Sequence, residues 1–374
     1  MKVLFISNDP SIFDPASAAR ARMRNYAAAI GTLHIVSRGT GDRDGLQEGG
    51  LFLHAVAGGK LSSLSRIIGT ARRIIRTEGI EIVSVQDPFE YGWVALRAIR
   101  GTTAKLHIQV HTDFCSPWFT KGKVFRSASV PMPMMNRVRR ALADRMLPKA
   151  DAIRAVSERV KASLVERYGD RIPVPSVLPI AIDTNVPAAV PLPPHSFPFT
   201  LITVGRLEPE KRIEDILDAL ARVAPSYPSI GLFIIGEGRS RRRLERRASK
   251  LGLGSRVIFL GNRPDAWGLM RSAQGYIQAS AYEGYGRTLL EAALARTPII
   301  TTDVGIVGEV LAGYEDVLAA PPGDPAALAL QITGLLEDNQ ARTTLAMNAE
   351  RKARAHLAAY ADLPSLIAAD LARV

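Results

Sequence analysis

Two glutamates, Glu283 and Glu291, stand eight positions apart in SAYEGYGRTLLEAALARTPII (residues 280–300), on either side of a Gly284-Tyr285-Gly286 turn. A carboxylate offers two acceptor oxygens, which suits the neighbouring hydroxyls of a sugar. Glycines let the backbone approach a ligand with no Cβ in the way. The same residues also read as a helix start. Thr288-Leu-Leu-Glu291 has the form of a capping box, with Leu289, Leu290, Ala293 and Leu294 as the apolar face behind it.

Further upstream, VGRLEPEKRIEDIL places Arg206 just after an apolar run and Lys211 five residues later, near a helix start. Two cations there can hold a diphosphate, arginine through paired hydrogen bonds and lysine as a point charge. The alternative is a solvated pair, with Lys211 bound to Glu208 or Glu214. His111 ends the run KLHIQVH, on one face with His107 and Gln109, and Asp113 follows it. Other patterns fail. GEG at 236–238 has Arg241 where a dinucleotide fingerprint needs its third glycine, and GGK at 58–60 is followed by Leu61 instead of Ser or Thr. Asp42-Arg43-Asp44 has metal-site spacing, but it lies in a polar loop far from the other motifs and reads as chance.

These residues need a scaffold that ends strands next to one another. Short apolar runs at 3–7, 33–37, 80–86, 105–111 and 152–157 alternate with helical patterns such as 17–30 and 62–77. The alternation predicts a parallel sheet covered by helices. NVPAAVPLPPHSFP (185–198) carries five prolines and reads as a linker. Strands then resume at 199–207, 230–238, 256–261, 275–280 and 298–303, with helices between them and an alanine-rich helical end. The expectation is two doubly wound α/β domains of Rossmann-like type, with ligands at the carboxyl ends of the strands.

The 374 residues suit two or three domains, and 47% hydrophobic with 22% charged residues is ordinary for a globular chain. The single cysteine, Cys115, allows no disulfide within a monomer and fits a reducing compartment. No apolar run approaches the roughly 18 residues a membrane span requires, and MKVLFISNDP reads as a buried strand instead of a leader. The net charge of +12 favours anionic partners: nucleotides, nucleic acid or an anionic membrane.

In order and spacing, VGRL…K (204–211), FLG (259–261), S-x-x-EGYG-x-x-x-x-E (280–291), TPII (297–300) and PPGDPAAL (321–328) resemble a retaining GT-B glycosyltransferase of family 4. ADAIRAVSERVKASL (150–164) and VLPIAIDT (177–184) resemble the family's approach to its linker. The resemblance implies an α/β GT-B fold, two Rossmann-like domains facing across a cleft. The acceptor domain would be 1–184, the linker 185–198, the nucleotide-sugar domain 199–352, and 353–374 a C-terminal helix returning to the first domain. It implies transfer of a sugar from a nucleoside-diphosphate sugar, with no metal and no separate cofactor. Gly205, Arg206 and Lys211 would hold the diphosphate, and Gly261, Asn262 and Arg263 the base. Glu283 would meet the donor sugar and Glu291 the ribose, with backbone from Gly284, Tyr285, Gly286 and Arg287 lining sugar and phosphate. His111 would face the donor sugar, and the leaving phosphate would take the acceptor's proton in a front-face, retaining mechanism.

Three departures from the family stand out. SNDPSIFDPASAARARMRNY (7–26) replaces a Gly-Gly loop and offers Arg20, Arg22 and Arg24 to an anionic acceptor. Arg212 stands where glycine or asparagine is common, and Arg296 where glycine closes a helix. The segment 118–149 combines eight basic residues and one aspartate with Trp118, Phe119, Phe125 and four methionines. It reads as a peripheral contact with the inner face of the cytoplasmic membrane, or as a solvated face of its own domain. The arginine-rich stretch 239–247 reads as solvated surface. A carbohydrate or lipid-linked acceptor in envelope, polysaccharide or glycolipid synthesis follows from the first option. The alternatives are a nucleotide-sugar epimerase of the same fold and, ranked last, a nucleic-acid-binding protein, for which no motif is present.

Overall fold

The computed structural model describes residues 1–39, 45–59, 62–120 and 132–374. The Asp42-Arg43-Asp44 run and part of the basic segment 118–149 lie outside these. Two compact units emerge, Met1–Pro179 with Asp362–Val374, and Ile180–Ala361.

The first unit holds eight strands: β1 (Lys2–Ser7), β2 (Thr32–Arg38), β3 (Leu46–Glu48), β4 (Leu51–Val56), β5 (Ile82–Val85), β6 (Lys105–Val110), β7 (Ala152–Ala155) and β8 (Ser176–Val177). Their order is β3-β4-β2-β1-β5-β6-β7-β8, and only the β3–β4 pair is antiparallel among the described residues. Val3, Leu4, Phe5, Ile6, Leu33, Ile35 and Val36 are buried, as continuous apolar runs in a sheet covered on both faces should be. The C-terminal helix Leu363–Leu371 belongs to this unit and packs on helix Ala18–Ile30.

The second unit holds β9 (Phe199–Val204), β10 (Ile230–Ile235), β11 (Val257–Gly261), β12 (Gly275–Ile277), β13 (Ile299–Thr302) and β14 (Leu318–Ala320). All pairs are parallel, in the order β11-β10-β9-β12-β13-β14. Relative to the unit's own start this is 3-2-1-4-5-6, the doubly wound order, whose direction reverses between β9 and β12. Helices Ile213–Val223 and Pro325–Glu337 pack together over one face through Ile216, Leu217, Leu220, Leu328 and Ile332.

The alternation in the sequence thus became two sheets, as expected. The β3–β4 hairpin was missed because its short strands follow a polar loop. The proline-rich stretch is not a free tether: Val190 N–H donates to Gly268 O (3.0 Å), Ser272 Oγ to Val190 O (2.7 Å) and Arg271 Nη1 to Pro187 O (2.8 Å). Prolines cannot join a ladder, yet their carbonyls still accept bonds, and Phe197 is buried against Phe233.

Candidate active site

In the second unit, the carboxyl ends of β9 and β12 meet at the reversal of strand order. The loop after β9 is held by backbone bonds that extend the ladder: Gly205 N–H to Ile235 O (3.0 Å) and Leu207 N–H to Glu237 O (2.9 Å). The glycine of GEG explains itself here. A Cβ on Gly236 would lie 1.9 Å from Gly205 O, and its φ of +133° already excludes most side chains. GEG therefore brings two loops together and fixes the backbone on which Arg206 stands. Gly261 joins the same edge, accepting from Gly236 N–H at 2.7 Å.

Lys211 Nζ donates to Glu283 Oε1 at 2.5 Å, and Ser280 Oγ donates to the same oxygen at 2.7 Å. Neither of the partners expected for Lys211, Glu208 or Glu214, takes it. Arg206 is largely exposed and rests on Glu210 Oε1 (3.1 Å). Glu210 also accepts Ala281 N–H through its carbonyl (2.8 Å), so the two loops are bonded directly. Arg212 adopts a left-handed φ of +47° and is held by both oxygens of Asp215, at 2.6 and 3.0 Å.

The capping box does not form. Helix Arg287–Leu294 starts from Gly286 at φ +90° and has no side-chain cap. Thr288 Oγ1 instead donates to Gln278 Oε1 (3.0 Å), and Glu291 Oε1 accepts from Arg287 (2.8 Å). Glycine at the N-cap lacks the oxygen that Ser, Thr, Asp or Asn would supply, and among the first N–H groups that of Leu289 is bonded to Gly286 O (2.9 Å). Burial pushes the Glu291 carboxyl above its ordinary range, with Arg287 opposing. Tyr285 is buried and its hydroxyl meets His356 Nε2 at 2.8 Å; only its backbone is left to line a ligand. Gly305 packs on Tyr285 O so closely that a Cβ would sit 2.4 Å from it. Arg263 is paired with Asp265 (2.6 and 2.8 Å) and Asn262 is exposed, so this edge offers mainly backbone to a base.

The structure therefore brings Gly205, Arg206, Lys211, Gly261, Glu283 and the start of the 287–294 helix to one strand edge. Gln278 was missed by sequence reasoning. It is buried, lines a small recess with Gly205, Arg206, Lys211 and Ser280, and its Nε2 has no hydrogen-bond partner among the described residues. Its signal was an amide inside the otherwise apolar run GYIQAS. In the arginine-rich helix Arg241–Lys250, Arg241, Arg243 and Arg247 are ion-paired with Glu237, Glu245, Glu214 and Asp218.

His111 lies in the first unit, just beyond β6. Its Nε2 is 3.1 Å from Gln109 Oε1, and burial with the charges of Arg154 and Arg22 pushes it down to about 3. Of the three arginines after β1, Arg20 binds Glu48 and Ile12 O, and Arg24 also binds Glu48. The two cations share one carboxylate, which offsets only one of their charges. Asp113 caps the next turn, accepting from Ser116 N–H at 3.1 Å. Among the described residues, no cluster of three or more His, Cys, Asp or Glu could hold a metal ion.

Two units each built on a parallel sheet, one of them gathering Arg206, Lys211 and Glu283 at its strand reversal, fit the GT-B class. Residues 21–186 match the model of Glycosyltransferase Family 4, and residues 193–352 that of Glycosyl transferases group 1. The chain belongs to the GT-B glycosyltransferases and resembles family 4. A glycogen synthase of Mycobacterium tuberculosis is 29% identical over 223 residues, 59% of this chain and 52% of that protein. A phosphatidyl-myo-inositol mannosyltransferase of Mycobacterium leprae is 31% identical over 193 residues, 50% of each chain. The chain spans about half the length of these curated relatives. Sucrose-phosphate synthase of Thermosynechococcus elongatus superposes with a TM-score of 0.80 at 20% identity, over 100% of this chain and 98% of that one. HepE of Anabaena in complex with UDP-glucose gives 0.73 at 20% identity, over 100% of both chains. At such identities these structures establish the fold. The matches favour sugar transfer over epimerisation.

Proposed function

We propose that the chain is a retaining glycosyltransferase that moves a sugar from a nucleoside-diphosphate sugar to a carbohydrate or lipid-linked acceptor, in envelope or surface polysaccharide or glycolipid synthesis. The carrying observation is the Lys211–Glu283 pair at the strand reversal, beside Arg206 and an uncapped helix start. As the glycosidic bond breaks, charge grows on the leaving diphosphate. Lys211 and Arg206 stabilise that charge more in the transition state than before it, which lowers the barrier without a metal. Glu283 accepts hydroxyls of the donor sugar and Glu291 those of the ribose. The base lies along Gly261, Asn262 and Arg263. HepE is known with UDP-glucose, which makes UDP the first nucleotide to try.

The acceptor side of the proposal is peripheral membrane contact at the inner face of the cytoplasmic membrane. Helix Met132–Met146 exposes Met134, Met135 and Val138 (59, 38 and 54%) beside the exposed Arg137. Apolar groups flanked by cations suit an anionic surface. No helix among the described residues is long and apolar enough to cross a membrane. Sedimentation with phosphatidylglycerol vesicles, weakened in Met134→Ser with Val138→Ser, supports this contact; no binding to them overturns it.

A thermal-shift screen across UDP, GDP and ADP and their sugars, followed by hydrolysis of the best donor, tests the reading. Stabilisation by one nucleotide that is lost in Lys211→Ala is the expected result. No response to any nucleoside diphosphate rejects it. Retention is read from the anomeric configuration of the product, and metal independence from full turnover in chelator.

A further inference from the structure

Behind His111 runs a chain of buried polar groups whose directions can be worked out from chemistry. Arg154 is 3% exposed; its Nε and Nη2 donate to Leu178 O (3.1 Å) and Pro179 O (2.6 Å), and its Nη1 lies 2.9 Å from the Gln109 side-chain amide. A guanidinium has only donors, so the amide atom facing Arg154 is the oxygen. That settles which way the Gln109 amide points. The Gln109 nitrogen then faces Ser84 Oγ at 2.9 Å and donates to it. The Ser84 hydroxyl donates to His107 Nδ1 (2.8 Å), which leaves the His107 proton on Nε2, facing Asp370 Oδ2 at 3.2 Å. Each link agrees with the next. Burial lowers His107, so it is neutral, and although burial also opposes charge on Asp370, bonds from His107 and Ser176 hold that carboxyl low and ionised.

The same oxygen of Gln109 faces His111 Nε2 at 3.1 Å. An amide oxygen only accepts, so His111 carries its proton there. We propose that Gln109, oriented by Arg154, is a positioning residue that fixes His111 as the Nε2–H tautomer and leaves Nδ1 as an acceptor for a hydroxyl of the bound sugar. This rests on the reading that His111 faces the donor. Burial, with the charges of Arg154 and Arg22, keeps the ring neutral near pH 7. His111 is then neither a proton donor to the leaving group nor a cation for phosphate. A neutral hexose hydroxyl satisfies Nδ1, whereas a uronic acid carboxylate would set lone pair against lone pair. The device selects neutral sugars through a residue that touches no substrate.

NMR of isotopically labelled histidine reads the tautomer directly, with six side chains to resolve and His111 identified by its loss in His111→Asn. At pH 7 the ligand-free protein is expected to show His111 protonated at Nε2 and bare at Nδ1. In Gln109→Leu that preference is lost at His111, while His107 keeps its Nε2 proton and so reports an intact fold. Gln109→Glu, which retains oxygen towards both donors, restores the tautomer. Hydrolysis of UDP-glucose by Gln109→Leu is expected to show kcat down roughly tenfold, with unchanged affinity for UDP. A wild-type His111 protonated at Nδ1 or at both nitrogens, or a tautomer unmoved in Gln109→Leu, overturns the proposal. Failure to bind any nucleoside diphosphate would instead sink the transferase reading and leave the tautomer result standing.

Discussion

Lys211 Nζ and Glu283 Oε1 lie 2.5 Å apart, although 72 positions separate them in sequence. The pair is half-shielded, with side-chain exposures of 22 and 15%. It sets two demands on Lys211, the carboxylate now and a diphosphate in the proposed complex. Glu283→Gln removes the competing charge while keeping an acceptor for Ser280. Calorimetry is expected to show UDP bound several-fold more tightly to Glu283→Gln, with sugar transfer reduced. Lys211→Ala is expected to lose UDP binding and about 1–3 kcal/mol of stability, because Glu283 keeps only its neutral partner. Weaker UDP binding in Glu283→Gln would mean that the carboxylate orients Lys211 instead of competing for it.

Glu291 is free of any capping duty, since the helix starts at Gly286 without a side-chain cap. The hydrogen bond that Arg287 donates to it can be kept in Glu291→Gln by the amide oxygen, while the charge of the pair is lost. That variant is expected to weaken UDP binding roughly ten- to hundredfold, the usual range for a lost charge-assisted bond, and to leave the melting temperature nearly unchanged. A 2′-deoxy nucleotide sharpens the test. Wild type should distinguish it from UDP, and Glu291→Gln should not. Equal discrimination by both proteins would move the ribose contact elsewhere.

Much of this arrangement was legible in the sequence because strand ends carry their own markers. Arg206, Lys211 and Glu283 each follow an apolar run, and the doubly wound order gathers such positions at one edge. The role of Thr288 was misread because S/T-x-x-E is a local pattern. The Gln278 amide, brought in by β12, competes for the hydroxyl across the helix start. Gln109 and Arg154 were not legible as a unit: 45 residues separate them, and only the β6–β7 pairing places them side by side. GEG looked like a failed fingerprint. Its glycines answer to Gly205 and Leu207, a packing demand with no periodicity to read.

Arg296 shows how the chain tolerates a departure from the family pattern. It takes φ +58° just past helix Arg287–Leu294, where Thr297 N–H reaches Ala292 O and Arg296 N–H reaches Ala293 O, each at 3.0 Å. These are the two bonds of a Schellman motif, normally built on glycine. The guanidinium, though largely exposed, binds Glu350, which Arg354 also holds. Arg296→Ala loses that pair and keeps the backbone strain; Arg296→Gly loses the pair and relieves the strain. Urea denaturation is expected to find the glycine variant more stable than the alanine variant by about 1 kcal/mol, the reverse of their helix propensities. Alanine equal to or above glycine would show that the left-handed turn carries no strain.

Acid sensitivity should trace in part to His34, which burial keeps neutral. His34 and His54 are buried, with Nδ1 of the first 3.1 Å from Nε2 of the second and Phe52 stacked on His34. Burial, then the charge of His54, pushes His34 from 6.5 down to about 4. A folded value below the unfolded one means that the unfolded chain takes up the proton first. The stability contribution of His34 is therefore complete above pH 6.5 and is lost as pH falls towards 4. Asp87 works in the opposite sense: burial raises it from 3.8 to about 6, and it favours the fold as pH drops through that range. The total slope mixes such terms, so the test is a difference. Between pH 6.5 and 4 the unfolding free energy of His34→Asn should fall less steeply than that of wild type, by up to about 1.4 kcal/mol per pH unit, one proton's worth. Asparagine keeps a polar partner for His54, so the comparison isolates the proton. Parallel slopes for the two proteins would show that His34 titrates alike in the folded and unfolded chains.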